Sequence, residues 1–533
     1  MLDKKDVVII GGGINGAGIA RDLGLRGISA VLFEKNDFSS GTSAASTRLI
    51  HGGLRYLEYF DFKLVHESLT ERKILLKIAP HLVFPLPFLL PVYTNHEHGR
   101  FLLKAGLTLY DILALGKKLP GHKLHSSSGI LQKEHNLRQA DLKGGFTYYD
   151  CQVPLPERLT VENILDAEQH GVTCNNYHEV IAVEQNGNDL FRVQVQDENG
   201  KELEIECKVV INASGPWVNE IASFIDGVNP RLVGGTKGSH IIVRNSIELR
   251  HAIYSPAFSD GRPFFILPFE RENLLIGTTD LFFDNQPQEA HICAAEIEYL
   301  EQETNALLPE IALKKEDILM TYSGIRPLPP VANGKKAGAV TRRHFLHRHV
   351  KDNRETGFIS VIGGKITTYR QLAEEVSDLV CELLAIDKEC LTSQLRLPGA
   401  NGLEQDSTQL LQFSHVENNY QLIYGAGREE KSQRIAEKPD TLNPVYPDAP
   451  ETIADIISIL RHEKVCHLSD VLLRRSLIGL RIGADKKKVE QIAWLLSDEL
   501  GWGARKTAAE IELYEREISR SFQWKNPDAA LCE

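Results

Sequence analysis

The 533-residue sequence contains few cysteines, no excess of basic residues and no hydrophobic run long enough to cross a membrane. A net charge of -12 argues against broad nucleic-acid binding, because a phosphate backbone requires a face rich in Lys and Arg. The eight cysteines form no CxxC pair and follow no secretory leader. We therefore expect free thiols in a reducing cytoplasm, with neither disulfides nor metal sites.

The most apolar stretch is LVFPLPFLLPVY, from Leu82 to Tyr93. It is shorter than the ~20 residues that a membrane-spanning helix requires, and its prolines oppose a helix, so we expect an extended core segment. A composition of 42% hydrophobic and 25% charged residues is typical of a soluble globular protein. The length indicates two or three domains.

Near the start of the chain, VVIIGGGINGAGIA combines an apolar run with a GxGxxG motif formed by Gly11, Gly13 and Gly16. The pattern predicts a strand before the glycines, a helix from Ile14 to Arg26 and a second strand from Ala30 to Phe33. Such a βαβ unit lets backbone N–H groups and a helix N-terminus approach a pyrophosphate. The turn therefore predicts a dinucleotide site.

Glu34 follows the second predicted strand at the spacing of about 20 residues where a carboxylate accepts hydrogen bonds from an adenosine ribose. The next loop, Gly41–Val65, is rich in small hydroxyl residues and glycine, which suits a flat isoalloxazine ring better than a nicotinamide. Two later segments, Lys208–Ala222 and Phe358–Glu374, again run from a strand into a glycine turn. Two nucleotide-facing turns in one domain favour FAD.

The motifs GGGINGAGIARD, STRLIHGGLRYLE, NASGPWV, KGSHIIV, IGTTD, TYSGIRPL and GGKITTYRQLAE occur in this order. They resemble the FAD-dependent glycerol-3-phosphate dehydrogenases, quinone-linked flavoenzymes of the D-amino-acid-oxidase-like group, from about Lys5 to Ala385. DVLLRRSLIGL, from Asp470 to Leu480, resembles the helical C-terminal domain of that family. The chain shows neither a mitochondrial presequence nor a calcium loop, so a bacterial-type enzyme is the nearer match.

This resemblance implies that FAD oxidises sn-glycerol 3-phosphate to dihydroxyacetone phosphate and passes the electrons to a membrane quinone. We expect the FAD to be bound non-covalently, and a homodimer is one assembly the family allows. The predicted cofactor contacts are Gly11, Gly13, Ile14, Asn15, Gly16, Glu34, Lys35, Thr42, Ser43, Ser46, Gly52, Gly53, Ala213, Ser214, Gly215, Trp217, Gly363, Gly364, Lys365 and Thr367.

Arg55, Arg326 and Lys365 each lie beside Gly or Pro within a motif, which indicates turns near the flavin rather than a solvated helix face. A phosphate dianion in a closed pocket requires several fixed cations, and Arg suits it through its planar fork. We therefore predict that these three residues bind the substrate phosphate. Arg342 is a fourth candidate, with a surface salt bridge as the alternative, and Tyr56 is placed to bond a substrate oxygen.

Oxidation at C2 also needs a group that takes the hydroxyl proton, for which histidine is suited near pH 7. His240 in KGSHIIV is the preferred base, and His51 in LIHGG is the alternative. Arg326 is also predicted to be a catalytic residue. A buried structural histidine is the alternative for either ring. The cluster RRHFLHRH, Arg342–His349, is interpreted as an exposed strand, because its cations would repel a metal ion.

The predicted fold is an α/β FAD-binding Rossmann-like domain with a mostly antiparallel β substrate domain and a helical C-terminal domain. The FAD domain takes about residues 1–80, 150–225 and 355–390, and the inserted substrate domain takes about 81–149 and 226–354, all within residues 1–395. Strands are predicted at SHIIVR, PFFILPF and LLIGTTD. Residues 396–533 begin with a linker-like segment and continue as amphipathic helices.

The segment Phe101–Pro120 places Leu102, Ala105, Leu109, Ile112 and Leu113 at helical spacing beside Lys104, Lys117 and Lys118. This pattern predicts a helix lying on a lipid surface, and a helix packed on the substrate domain is the alternative. We therefore expect a cytoplasmic protein bound peripherally to the inner face of the membrane. Three other functions stay open: an oxygen-using glycerol-3-phosphate oxidase, another flavin oxidase of this fold, and a non-enzymatic FAD-binding scaffold.

Overall fold

The computed structural model describes residues 3–96, 99–116, 119–186, 190–226, 231–270, 272–330, 340–351, 354–403, 423–424 and 438–525. The strands of this described part are β1 Asp3–Lys4, β2 Val7–Ile10, β3 Ala30–Phe33, β4 Leu49–Ile50, β5 Phe84–Tyr93, β6 Lys123–His125, β7 Leu142–Gln152, β8 Thr173–Asn175, β9 His178–Asn186, β10 Leu190–Asp197, β11 Glu202–Cys207, β12 Val209–Asn212, β13 Gly234–Arg244, β14 Ala252–Pro256, β15 Pro263–Phe269, β16 Asn273–Gly277, β17 Leu281–Phe283, β18 Ile318–Leu328, β19 Phe345–Lys351 and β20 Arg354–Ile362.

The α-helices of the same residues are α1 Ile14–Leu25, α2 Phe62–Ile78, α3 Arg100–Leu113, α4 Ser127–Leu131, α5 Pro156–Gln169, α6 Val218–Asp226, α7 Ala294–Leu307, α8 Tyr369–Leu384, α9 Ile453–His462, α10 Ile478–Ile482, α11 Lys486–Leu500 and α12 Ala504–Ser519. Short 3₁₀ turns at Leu54–Tyr59, Gly215–Trp217 and Ile366–Thr368 border the site, and a π-helical turn covers Asp470–Arg475. Within the described ranges, the helices are too short or too polar to cross a bilayer.

A six-stranded sheet in the order β19-β20-β12-β2-β3-β8 forms the predicted Rossmann-like domain. Strands β20, β12, β2, β3 and β8 run parallel, and their apolar residues are buried on both faces, which explains the unbroken apolar run of β2. Helix α1 packs between α5 and α8. A four-stranded sheet, β1-β11-β10-β9, lies beside this unit.

A larger sheet in the order β17-β13-β16-β15-β14-β5-β7-β4 forms the substrate domain, with β18 paired to β13 and β6 to β7. Almost all of its pairs are antiparallel, as predicted, and β14 with β5 is the parallel exception among them. The proline-rich segment predicted as extended core is β5, which is buried along nearly its whole length.

Some details differ from the predictions. Strand β19 pairs with β20 in the FAD-domain sheet, although the predicted boundaries place it in the substrate domain. It is an edge strand, but His349 is buried and shares a hydrogen bond of 2.9 Å with Ser360, so it is not exposed throughout. Among the described residues, six cysteines are free thiols, whereas Cys293 is disulfide-bonded, so the expectation of free thiols is wrong at that position.

Candidate active site

The parallel sheet directs the carboxyl ends of β2, β3, β12 and β20 toward one cavity of about 650 Å³. Ligands of open α/β sheets bind at this edge, because the turns that leave the strands present free backbone N–H groups there. Strands β13 and β18 of the larger sheet close the opposite side of the cavity. The cavity therefore lies between the FAD domain and the substrate domain.

The first glycine turn has no room for side chains, which explains its glycines. A Cβ atom on Gly11, whose φ is +108°, would lie 2.6 Å from the carbonyl oxygen of Ala213. A Cβ atom on Gly16 would lie 1.9 Å from the carbonyl oxygen of Gly11. Gly16 itself stands behind the cavity wall, so its role is to let α1 pack against the turn.

The carboxylate of Glu34 lies at the end of β3 and is fixed by two backbone groups. The Gly12 N–H donates to Oε2 at 2.6 Å, and the Asn36 N–H donates to Oε1 at 2.9 Å. Burial raises the pKa of Glu34, and these two donors oppose that shift. Beside it, the Lys35 ammonium lies 4.5 Å from the ring centre of Trp217, and both residues line the cavity.

The turn at Ala213–Gly215 and the turn at Gly363–Gly364 lie beside the first glycine turn and the N-terminus of α1. Gly363 and Gly364 both have positive φ, and a Cβ atom on Gly364 would lie 2.9 Å from Nδ2 of Asn15. Oδ1 of Asn15 is buried without a hydrogen-bond partner among the described residues. Ala213, Ser214 and Gly215 line the same wall.

The loop after β3 continues along the cavity. Oγ of Ser43 accepts a hydrogen bond of 2.9 Å from the backbone N–H of Ile14, and Oγ1 of Thr42 donates to the carbonyl of Ile325 at 2.6 Å. Other predicted cofactor residues that line the cavity are Gly13, Ser46, Gly53 and Thr367. Gly52 does not line it: its N–H donates to Tyr110 and Asp150, and a Cβ atom on it would lie 2.4 Å from the Tyr110 hydroxyl.

These observations fit FAD. Three glycine turns bring backbone to the cavity wall, a helix N-terminus faces the cavity, and a carboxylate stands where an adenosine ribose requires an acceptor. The unpartnered Asn15 oxygen is a further acceptor at the same place. The volume lies in the usual range of cofactor sites, about 300–1,000 Å³.

The four predicted substrate cations gather around Tyr56. Nζ of Lys365 lies 4.5 Å from the centre of the Tyr56 ring, and Arg342, Arg55 and Arg326 all act electrostatically on its hydroxyl. All five residues line the cavity. They come from four separate segments of the chain, and the turn at Leu54–Tyr59 presents Arg55 and Tyr56.

A single carboxylate holds two of these arginines. Asp280 Oδ1 accepts from Nη1 of Arg326 at 3.0 Å, and Oδ2 accepts from Nη2 of Arg342 at 2.9 Å. Nη2 of Arg326 also donates to Thr278 Oγ1 at 3.0 Å. Nη1 of Arg342 is buried without a hydrogen-bond partner in the described part of the chain. One negative charge for two part-buried cations leaves a positive surplus, suited to an anion.

The surplus of positive charge agrees with the lowered pKa values of two of these cations. Burial lowers the pKa of Lys365 to about 7, although Glu67 and Asp61 favour its charged form. Its ammonium donates to Oγ of Ser68 at 2.8 Å. Burial, together with the neighbouring Arg342 and Arg55, lowers the pKa of Arg326 to about 10 even though Asp280 acts in the opposite direction. An incoming anion would restore the charge on Lys365.

Both candidate bases line the cavity as neutral imidazoles. Burial, with Arg326 and Arg48, lowers the pKa of His240 to about 3, and burial lowers that of His51 to about 4. Nε2 of His240 shares a hydrogen bond of 2.9 Å with Thr47 Oγ1, and Nδ1 has no partner among the described residues. Its ring stacks on Tyr322 at 4.9 Å. Each ring is unprotonated at neutral pH, and a pKa this low makes either one a weak base until its surroundings change, so the geometry leaves both candidates open.

Asp280, Thr278 and Asp150 belong to the site region but have no role predicted from the sequence. Asp280 and Thr278 occur in the quoted motif IGTTD, so an unassigned acid within a motif was the available signal. Asp150 accepts from the Tyr110 hydroxyl at 2.8 Å and forms an ion pair with Arg72 beneath His51. Its role depends on pairing between distant segments, for which the sequence gives no signal.

Comparisons with known proteins agree with this geometry. A family model described as FAD dependent oxidoreductase matches residues 6–370, and one described as the C-terminal domain of alpha-glycerophosphate oxidase matches residues 390–507. The chain is 38% identical to a glycerol-3-phosphate dehydrogenase of Synechocystis sp., over 97% of this chain and 96% of that protein. It is 34% identical to the aerobic glycerol-3-phosphate dehydrogenase of Escherichia coli, over 93% and 98%.

A solved structure resembles the whole chain. The glycerol-3-phosphate dehydrogenase from Bacillus halodurans, complexed with FAD, superimposes with a TM-score of 0.74 at 26% identity and covers 98% of this chain and 96% of its own. The chain therefore belongs to the FAD-dependent oxidoreductase family, together with the glycerol-3-phosphate dehydrogenases, and FAD is its cofactor.

Proposed function

We propose that this protein oxidises sn-glycerol 3-phosphate to dihydroxyacetone phosphate. The observation that carries the proposal is the group of four cations, Arg55, Arg326, Arg342 and Lys365, that surrounds Tyr56 inside the FAD cavity. An amine or carboxylate substrate would not require so many positive charges, whereas a phosphate dianion uses them fully. The names of two dehydrogenases that are 38% and 34% identical to this chain support the same substrate.

In this proposal the cations fix the phosphate and thereby orient the C2 carbon of the substrate. Arg326 is held by Asp280 and Thr278, so its guanidinium reaches the phosphate with little loss of side-chain entropy. Lys365 gains a proton as the dianion arrives, because its lowered pKa returns toward the ordinary lysine value. The site therefore binds the phosphate tightly only when that lysine is charged.

A neutral histidine then takes the proton of the C2 hydroxyl group. His240 is the preferred base, because its Nδ1 is free of partners among the described residues and Thr47 orients the ring. The bound phosphate offsets Arg326, the neighbour that opposes protonation of His240. When bound, FAD supplies the two-electron acceptor that takes the hydrogen of the C2–H bond as a hydride.

The test is anaerobic mixing of the FAD-loaded protein with sn-glycerol 3-phosphate, observed in the flavin absorption band. Rapid bleaching is expected with this substrate, and glycerol at the same concentration should leave the band unchanged. A panel of amino and hydroxy acids serves as the control for other flavin oxidases. Bleaching by a member of that panel but not by glycerol 3-phosphate would contradict the proposal, and no bleaching by any compound would favour the scaffold.

One comparison supports a second substrate for the same panel. The D-erythritol 1-phosphate dehydrogenase of Brucella abortus is 39% identical, over 69% of this chain and 72% of that protein. A longer polyol phosphate presents the same phosphate dianion to the cations, so the two substrates differ only in what the rest of the cavity accepts. The ratio of kcat/KM for the two compounds decides between them.

We further propose that the electron acceptor is a membrane quinone and that α3 binds the lipid surface. Leu107 and Tyr110 anchor one side of α3 in the protein, while Phe101 on the other side is 93% exposed and Leu102 and Ile112 are also exposed. Lys104 is exposed beside them, and the predicted lysines Lys117 and Lys118 lie outside the described residues. An apolar strip flanked by a cation is suited to the headgroup layer.

The exposed strip extends to the cavity. The turn Leu54–Tyr59 packs against α3, and the next residue, Phe60, lines the cavity although it is 77% exposed. A quinone dissolved in lipid would thus meet the protein beside the FAD site. This arrangement supports a peripheral enzyme at the inner membrane face that joins a water-soluble substrate to a lipid-soluble acceptor.

Sedimentation with anionic liposomes tests the membrane proposal. Replacing both Phe101 and Leu102 by Ser should release the protein to the supernatant and abolish turnover with a quinone in lipid, while turnover with a soluble acceptor stays unchanged. Leu442→Ser, at another exposed apolar position, is the matched control. Wild-type protein that stays in the supernatant and produces hydrogen peroxide in proportion to substrate would support the oxidase instead.

A further inference from the structure

A buried carboxylate joins the FAD-facing loop to the C-terminal domain. Asp37 lies three residues after Glu34 and is buried. The residues on both sides of it line the cavity, 34–36 before it and 40–43 after it, whereas Asp37 itself does not. Its side chain points away from the cavity, toward the π-helical turn at Asp470–Arg475.

Two arginines of that turn hold both oxygens of the carboxylate. Nη1 and Nη2 of Arg475 donate to Asp37 at 2.6 and 2.8 Å, and Nε of Arg474 donates at 2.6 Å. Nδ2 of Asn176, from the FAD domain, adds a bond of 3.0 Å. Burial alone would raise the pKa of Asp37, but the two guanidinium groups hold it well below its ordinary value. The carboxylate is therefore ionised and fixed.

The same loop connects Asp37 to the carboxylate of Glu34, which is the predicted ribose ligand. The Ser39 N–H donates to the carbonyl of Gly12 at 3.0 Å, so the loop is tied to the glycine turn immediately after Asp37. On the other side, the backbone N–H groups of Asn36 and Gly12 hold the carboxylate of Glu34. A shift of Asp37 must move one of these anchors, because only two residues separate it from Glu34.

We propose that Arg475, together with Arg474, is a positioning residue for the adenosine half of FAD and acts through Asp37. The C-terminal domain is then part of the machinery that retains the cofactor, although neither arginine lines the cavity. This inference rests on the proposed placement of the adenosine ribose at Glu34. Its physical basis is that an ion pair with a forked geometry fixes a loop more narrowly than a single hydrogen bond does.

The test measures the FAD dissociation constant of the apoprotein by titration of flavin fluorescence. Arg475→Met should raise the constant about 30-fold, which corresponds to about 2 kcal/mol. Arg481→Met is the matched control, because Arg481 is a part-buried arginine of the same domain that pairs with Glu270 and Glu451, away from the loop. We expect the control to lower the melting temperature similarly while it changes the FAD constant by less than about 3-fold.

Two further variants keep the test decisive if Arg475→Met does not fold. Arg475→Lys retains the charge without the fork, and Asp37→Asn loosens the same contact from the loop side, so each should raise the FAD constant about 5-fold. Unchanged constants in both, or an equal rise in Arg481→Met, would overturn the proposal. Glu34→Ala is measured in parallel. An unchanged constant in that variant would contradict the placement of the ribose, whereas a rise there with none in the Arg475 variants would contradict only the coupling.

Discussion

The two ends of the cavity are built in different ways. The end predicted to hold FAD consists mainly of backbone: the turns at Gly11–Gly13 and Gly363–Gly364, with the Glu34 carboxylate fixed by two backbone N–H groups. The end around Tyr56 consists of side chains, four of them cationic, with Asp280 as the shared counter-charge. The first end depends on the absence of side chains, and the second depends on charge.

This difference predicts different responses to mutation. The turns at Gly11 and Gly364 cannot accommodate a side chain, because neighbouring atoms already lie within van der Waals distance of the position that a Cβ atom would take. Side-chain cations can be exchanged without loss of the fold, because each of them borders the cavity. Damage at the first end should therefore remove the cofactor, and damage at the second should remove only the reaction.

The largest effect is expected from Gly16→Ala. Its new Cβ atom would lie 1.9 Å from the carbonyl oxygen of Gly11, so α1 must separate from the turn. We expect loss of bound FAD and destabilisation of about 3 kcal/mol, at the upper end of overpacking effects. Absorbance at the flavin band and thermal unfolding measure both. Gly106→Ala in α3 is the control, since nothing lies within 4 Å of its Cβ position. Normal FAD content in Gly16→Ala would contradict the expectation that a side chain at this turn removes the cofactor.

Arg326→Met should leave FAD content normal and lower kcat/KM for glycerol 3-phosphate by about 2–4 kcal/mol, or roughly 30- to 1,000-fold. The reason is the loss of a fixed, charge-assisted contact with the phosphate. Arg231→Met, an exposed arginine paired with Asp284 in the same sheet domain, is the matched control and should keep wild-type kinetics. If the Arg326 variant turned over like the wild type, the phosphate would bind elsewhere.

The pH dependence of Lys365 sharpens the contrast at the charged end. Its pKa of about 7 means that the free enzyme carries the charge below this pH and loses it above. We expect kcat/KM to fall about tenfold per pH unit above 7, because the phosphate then meets a neutral amine. In Lys365→Arg the guanidinium stays protonated, so this decline should disappear. A profile that declines identically in both proteins would assign the titration to another group.

The smallest effect is expected from Asp280→Asn. Removing the shared carboxylate leaves Arg326 and Arg342 to repel each other, so we expect a loss of about 1–3 kcal/mol in unfolding free energy. A phosphate-bearing ligand replaces the missing negative charge, so the rise in melting temperature on adding glycerol 3-phosphate should exceed that of the wild type. Asp284→Asn, an exposed acid of the same domain, should show the wild-type rise. An equal rise in Asp280→Asn would mean that Asp280 does not balance the ligand.

Much of the fold could be predicted because its signals are local. The run before Gly11, the glycine spacing and Glu34 all lie within one βαβ unit, where backbone geometry follows directly from residue type, and β2, α1 and β3 form as predicted. The antiparallel substrate sheet and the amphipathic C-terminal helices were predicted for the same reason. Sequence boundaries between interleaved domains were less accurate, since the pairing of β19 with β20 is a tertiary fact.

The sequence by itself thus determined the domain types and the glycine turns, and it predicted the cations that the structure brings together, because glycine spacing, apolar periodicity and motif position act within a few neighbouring residues. Only the tertiary structure decided that one carboxylate, Asp280, serves both Arg326 and Arg342, and that Arg475 reaches Asp37 across 438 residues. Such contacts depend on how separate segments pack in space. The residues next to each partner in the sequence therefore do not predict these contacts.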